Sequence, residues 1–172
     1  MGDEKMNFMR LALDVAREGM EHGELPIGAV VVLDGRVIGS AYTQELAQRR
    51  NLVHADLLAL EAADRLHPFP GRRRAATLYV TLEPCLMCLG AAMSFFVGEV
   101  VFALESPSDG ATALVQSWQR KTEGFPQYQI PTITGGILRE ASAELFAEYV
   151  ERNPTGSYAD WARSLLGSGH VC

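Results

Sequence analysis

The chain has 172 residues with 48% hydrophobic and 21% charged side chains, which is typical of one globular domain with its own core. No long uncharged apolar run is present and none follows the charged start MGDEKMN, so we expect no membrane span, no signal peptide and a cytoplasmic location. The net charge of −6 opposes attraction to a phosphate backbone and disfavours extensive nucleic-acid binding.

Periodic hydrophobic residues open the predicted fold. They recur at helical spacing over residues 7–21, and Gly23 lies just beyond the predicted end of that helix. Two β-branched runs then flank Asp34-Gly35, a dipeptide typical of a tight β-hairpin. The stretch TQELAQRRN follows as a predicted loop.

The remaining predicted elements alternate between helices and strands. ATLYVTL, EVVFAL and YQIPTITGG predict strands, and EPCLMCLGAAMSFF predicts a helix with Pro84 in its first position. The other predicted helices cover residues 54–66, 111–119, 138–152 and 158–166. This alternation predicts a three-layer α/β/α sandwich around a five-stranded mixed sheet. We expect one domain over residues 1–152 and a C-terminal extension over residues 153–172.

Two cysteines and one histidine form a candidate metal site. Cys85 and Cys88 lie three residues apart at a predicted helix start, where both sulfurs can face one ion and the helix N-terminus stabilises thiolates. His54 opens another predicted helix that can lie beside the first. Three ligands without a convincing fourth are typical of a catalytic zinc, which keeps one position for water. Such a zinc lowers the pKa of water from about 15.7 to about 7.

A carboxylate beside the histidine is the predicted proton carrier. Asp56 is two residues after His54, and the two side chains can lean over the same helix end only if His54 opens its helix. Deprotonated Asp56 would take a proton from water and then deliver protons to a ring nitrogen and a leaving amine. Glu83, beside the cysteines, is a rival carrier that we expect to be structural instead.

The motifs HAD at residues 54–56 and EPCLMC at residues 83–88 resemble the H-x-E…P-C-x-x-C signature of zinc-dependent nucleobase and nucleoside deaminases. Further segments are similar, in the same order, to the bacterial tRNA adenosine deaminase branch of the cytidine deaminase-like superfamily: ELPIGAVVVLDGRVIG, ATLYVTLEPCLMCLGAAM, VVFALESPSDGA and ITGGILREASAELF. The resemblance covers roughly residues 6–150.

This resemblance implies a five-stranded cytidine deaminase-like sheet, zinc on His54, Cys85 and Cys88, and a homodimer. It also implies that Asp56 takes the place of the family's catalytic glutamate. The substrate contacts that it implies fall on Ala29, Thr43, Ala55 and Pro84.

Three departures from the tRNA branch bear on the substrate and the rate. Asp56 is one methylene shorter than the family's glutamate, and Thr43 stands where that branch has a purine-contacting asparagine. Residues 139–172 hold three Arg and five Asp or Glu, whereas the same region of the tRNA branch tends to be basic.

We therefore predict a zinc-dependent hydrolytic deaminase of a free nucleobase or nucleoside, with tRNA not favoured. The first alternative is a tRNA adenosine-to-inosine deaminase. The second is a weak or inactive zinc domain that binds a nucleobase-like ligand.

Overall fold

The structure is a computed structural model that describes residues 2–66, 73–119 and 129–167. Its helices are α1 Gly2–Glu21, α2 Glu45–Gln48, α3 Ala55–Leu66, α4 Leu86–Phe95, α5 Thr112–Ser117, α6 Arg139–Arg152 and α7 Ser157–Gly167. Its strands are β1 Gly28–Leu33, β2 Arg36–Tyr42, β3 Thr77–Leu82, β4 Glu99–Leu104 and β5 Thr132–Thr134. Within the described ranges, no helix is both long and apolar enough to cross a membrane.

The five strands form one mixed sheet in the order β2-β1-β3-β4-β5. Strand β1 pairs antiparallel with both β2 and β3, whereas β3, β4 and β5 run parallel. The predicted hairpin turn is confirmed, since Asp34 and Gly35 take φ values of 50° and 74° between β1 and β2.

Alternating residues of the central strands send side chains into two separate cores, one on each face of the sheet. Val30 and Tyr79 join the core under α1, α6 and α7, whereas Val31 and Val80 join the core under α3 and α4. Both faces of the sheet are therefore covered by helices, which confirms the predicted three-layer α/β/α architecture.

The predicted loop TQELAQRRN is wrong in part, because it contains the short helix α2. A four-residue helix is too short to show a periodic pattern, and a distant side chain stabilises it. The carboxylate of Glu24, which is 1% exposed, accepts hydrogen bonds from the backbone amides of Leu46 at 3.1 Å and Ala47 at 2.7 Å. Glu24 thus satisfies two amides at the start of α2.

Helices α3 and α4 each begin one or two residues later than predicted. The carbonyl of His54 accepts the amide of Leu58 at 3.0 Å, so His54 caps α3 rather than forming its first turn. Cys85 caps α4 in an extended conformation, and its carbonyl accepts the amide of Leu89 at 3.0 Å. The prediction of Pro84 as the first helical residue is therefore wrong, because Cys85 pairs with Gly110 as an isolated β-bridge before the helix starts.

Gly39 sets the distance between β2 and α3, the helix that carries Asp56. A Cβ atom at residue 39 would overlap the carbonyl oxygen of Ala59 and lie 2.9 Å from the amide nitrogen of Ala63. We predict that Gly39→Ala lowers the free energy of unfolding by about 1–3 kcal/mol, since the helix has to move off the sheet to admit the methyl group. Urea unfolding followed by circular dichroism measures this change.

Gly90→Ala is the matched control for this substitution. Gly90 is exposed on α4, and a Cβ atom there would meet nothing within 4 Å. The control is expected to be neutral or stabilising by up to about 1 kcal/mol, because alanine favours helix more than glycine does. Equal stability of Gly39→Ala and the wild type would show that β2 and α3 are not in close contact.

Candidate metal centre and active site

His54, Cys85 and Cys88 converge at one end of the sheet. The Nδ1 atom of His54 lies 3.7 Å from Cys85 Sγ and 3.5 Å from Cys88 Sγ, and the two sulfurs are 3.6 Å apart. All three ligand atoms lie within 4.8 Å of one another, which suits a single metal ion. One imidazole nitrogen and two sulfurs form the donor set of a catalytic zinc site that keeps a further position open.

Two helix starts bring these ligands together. His54 caps α3 and Cys85 caps α4, while Cys88 lies one turn into α4 and is fully buried. The two helices pack on the same face of the sheet, and their N-termini lie at the same end of it. The ligand geometry predicted from spacing is therefore present, with Cys85 in the cap position rather than within the helix.

The electrostatics of the cluster favour a thiolate at Cys85. Its pKa is lowered to about 4, first because the Cys88 thiol donates a hydrogen bond to its sulfur and then because His54 lies beside it. The same donation raises the pKa of Cys88, and burial adds to that effect. The pKa of His54 is raised to about 10, first by Cys85 and then by Glu45.

Asp56 lies in the second position of α3 and is 4% exposed. Burial raises the pKa of its carboxyl group, whereas a hydrogen bond with Cys88 lowers it. A carboxyl group beside the candidate ligands can accept a proton and return it. The structure thus places Asp56 where the sequence predicted a proton carrier.

Glu83 has a different environment, because its carboxylate binds the backbone of the loop after β4. Its Oε2 accepts the Ser106 amide at 3.1 Å, and its Oε1 accepts the Thr112 amide at 3.2 Å and the Thr112 hydroxyl. These bonds occupy both oxygens and support the prediction that Glu83 is structural.

A cavity of about 350 Å³ opens onto the ligand cluster, within the usual size range for small-molecule sites. Thr43, Ala55 and Pro84, all predicted to contact substrate, line it together with Asp56. Ala29 is not among the described residues that line the cavity, because its side chain is fully buried in the core between the sheet and α3.

Two further segments form part of the cavity wall. Glu45 lines the cavity from α2, in the stretch predicted as a loop, and the sequence predictions of the site do not include it. Helix α7 contributes Ser157, Tyr158 and Trp161 from the C-terminal region. Neither segment carries a metal motif or another local pattern that marks it as part of the site.

The sequence of residues 3–104 identifies the family of the chain. Residues 3–104, which contain all three candidate ligands, match the cytidine and deoxycytidylate deaminase zinc-binding region. The chain belongs to this deaminase family. It is a zinc-dependent hydrolase of the deaminase class, and the predicted zinc cofactor is confirmed by the family and by the geometry of His54 with the two cysteines.

Relatives in this deaminase family cover nearly the whole chain. The chain is 35% identical over 145 residues to a tRNA-specific adenosine deaminase of Bacillus subtilis, covering 84% of this chain and 88% of the relative. It is 33% identical over 152 residues to the tRNA-specific adenosine deaminase of Haemophilus influenzae, covering 87% of this chain and 84% of the relative. The predicted resemblance to the bacterial tRNA adenosine deaminase branch is confirmed.

Solved structures of deaminases share the fold. A structure from work on A-to-I editing by tRNA:A34 deaminases has 34% identity and a TM-score of 0.66, covering 81% of this chain and 98% of that one. A guanine deaminase from Nitrosomonas europaea has 24% identity and a TM-score of 0.65, and the match covers 84% of this chain and 83% of that one. At this identity the match shows only that the fold is shared. The predicted cytidine deaminase-like fold is confirmed.

These relatives contradict two predictions, that the substrate is a free nucleobase or nucleoside and that tRNA is not favoured. The prediction against tRNA used the net charge of the whole chain and of its C-terminal region. Both are sums over many residues, whereas RNA binding depends on the charged groups near the site. Thr43 does not remove hydrogen bonding from the asparagine position, since its hydroxyl oxygen can still accept a hydrogen bond.

The ligand assignment predicts the metal content of single variants. We expect Cys88→Ala to lose most of its zinc, because two remaining ligands hold the ion far more weakly than three. Metal analysis of the purified protein, expected near one zinc per wild-type chain, measures the loss.

Cys172→Ala is the control for this variant, since it removes the third cysteine and lies outside the described residues. It is expected to keep full zinc. Full zinc in Cys88→Ala, or loss of zinc in Cys172→Ala, would contradict the assignment of the two sulfur ligands.

Proposed function

We propose that this protein deaminates adenosine to inosine in tRNA. The observation that carries the proposal is the 35% identity to a tRNA-specific adenosine deaminase over 84% of this chain and 88% of the relative. The cavity adds support, since Asp56 and two of the candidate metal ligands, His54 and Cys85, line one space that can hold a single base. A base enters such a cavity only from a single-stranded or flipped-out position, as in a tRNA loop.

The chemistry follows from the residues around the cavity. Zinc, when bound by His54, Cys85 and Cys88, supplies an activated water at neutral pH. Asp56 carries the protons: its carboxylate accepts one proton of the attacking water and delivers it to the purine ring nitrogen, and then accepts the second proton of that water and delivers it to the departing amine. One water is consumed and one ammonia is released for each inosine formed. Pro84 and Ala55 close the cavity around the base and limit competing water.

The outer wall of the cavity has features that suit RNA. Trp161 and Tyr158 of α7 offer aromatic side chains on which an unpaired base can stack. Arg49 and Arg50 follow α2 directly, next to Glu45, and both are exposed. Exposed arginines at the end of α2 can contact phosphates even though the whole chain has a net charge of −6.

Product analysis of tRNA tests the proposal directly. Zinc-loaded protein is incubated with unmodified tRNA transcripts, and the RNA is then digested to nucleosides and analysed for inosine by mass spectrometry. We predict inosine in tRNA and little ammonia release from free adenine, guanine, cytosine or their nucleosides. Turnover of a free base together with unchanged tRNA would overturn the proposal.

Asp56→Asn tests the proposed proton carrier. It keeps the size of the side chain and removes the basic oxygen, so we expect kcat to fall by about 10²–10⁴-fold while zinc stays bound. Asp56→Glu keeps the carboxylate and is expected to retain measurable turnover. A kcat for Asp56→Asn equal to that of the wild type would show that another group moves the proton.

Three further parts of the proposal rest on the sequence. We divide the chain into a deaminase domain at residues 1–152 and a C-terminal extension at residues 153–172. The cytoplasmic location stays a prediction, in keeping with a tRNA substrate. The homodimer also stays a prediction, which light scattering of the purified protein can check.

A further inference from the structure

We propose that Glu45 is a positioning residue for the metal centre, which holds the His54 ring with Nδ1 directed at zinc. The inference rests on the proposed zinc site and concerns a residue outside its three ligands. The Nε2 atom of His54 lies 3.6 Å from Glu45 Oε1, while Nδ1 lies on the other side of the ring, 3.5 Å from Cys88 Sγ.

The chemistry of imidazole explains why this partner matters. A neutral imidazole has one N–H, so a ring that offers the Nδ1 lone pair to a metal carries its proton on Nε2. A carboxylate facing Nε2 favours this tautomer, fixes the ring plane and increases the basicity of the ligand nitrogen. At 3.6 Å the contact is longer than a direct hydrogen bond, and rotation of the Glu45 carboxylate group can shorten it.

Glu45 is itself held in place from its other oxygen. The Thr43 hydroxyl donates to Glu45 Oε2 at 3.0 Å, and Thr43 is 1% exposed. The Thr43 amide donates to the Ile27 carbonyl at 3.0 Å, which fixes Thr43 to the end of the sheet. A chain of contacts therefore runs from the sheet through Thr43 and Glu45 to His54.

The backbone of this segment is also tied directly to the residue before His54. The Gln44 amide donates to the Val53 carbonyl at 3.0 Å, and the Thr43 hydroxyl lies 3.4 Å from the same carbonyl. Glu24 anchors the amides of α2 immediately after Glu45. The position of Glu45 relative to His54 is thus set by bonds on both sides, as a positioning role requires.

Glu45→Gln tests the inference by zinc affinity. The substitution keeps the shape of the side chain and removes its charge. Zinc transfer from the holoprotein to a chromophoric chelator gives the affinity, and we expect Glu45→Gln to bind zinc about 10–100-fold more weakly than the wild type. The cobalt-substituted protein gives a second readout, since its visible bands should shift when the histidine ring is no longer held in one orientation.

Glu61→Gln is the matched control. Glu61 is an exposed acid on α3 that pairs with Arg65, so its substitution makes the same charge change on the helix that His54 caps, away from the cluster. Its zinc affinity and cobalt spectrum are expected to equal those of the wild type. A zinc affinity of Glu45→Gln within twofold of this control would overturn the inference. A raised KM in Glu45→Gln with unchanged zinc affinity would show a role in binding substrate instead, and would overturn the inference as well.

His54→Ala separates failure of this inference from failure of the proposed site. Retained zinc in His54→Ala would overturn the ligand assignment and the Glu45 inference with it. Loss of zinc in His54→Ala, together with unchanged affinity in Glu45→Gln, would overturn the role of Glu45 alone.

Discussion

The site depends on two helix N-termini that lie side by side at one end of the sheet. His54 caps α3 and Cys85 caps α4, and 31 residues of chain separate them. The strand order places β2, β1 and β3 side by side, so the helices that follow β2 and β3 pack on the same face. Their N-termini, where donors are unsatisfied and the dipole favours negative charge, then enclose the two cysteine sulfurs.

Buried or half-buried carboxylates hold the irregular backbone around this edge. Glu24 binds the amides of α2, Glu83 binds the amides of Ser106 and Thr112, and Glu45 accepts the Thr43 hydroxyl. Glu24 and Glu83 each bind backbone amides of a segment that is distant in the chain. A loop-rich active site needs such partners, because backbone amides removed from water and left unpaired cost stability.

The acidity of the chain and a tRNA substrate are compatible because they concern different parts of the molecule. The cavity itself is lined by Glu45, Asp56 and Asp109, which suit a metal ion and hydrogen-bond donors of a base. Phosphates of the proposed RNA substrate would lie outside this space, and the exposed Arg49 and Arg50 follow α2. The net charge of the whole chain therefore gives little information about whether a polyanion binds at the entrance of the cavity.

The sequence by itself determined the sheet, the hairpin and the metal motif, since each rests on short-range patterns. Runs of β-branched and apolar residues mark the strands, Asp34-Gly35 marks the turn, and the spacing of Cys85 and Cys88 on one helix face follows from helical geometry. His54 and Asp56 were added because they open a second predicted helix, and the resemblance to a family supported their pairing with the two cysteines.

Only the tertiary structure decided what surrounds that motif. The short helix α2 is stabilised by Glu24, which reaches it from another segment, and Ala29 lies in the core between the sheet and α3 rather than in the cavity wall. Glu45 and Trp161 reach the cavity from segments that carry no metal motif. Such contacts join residues far apart in the chain, and their geometry is set by the packing of the sheet and helices rather than by any local pattern.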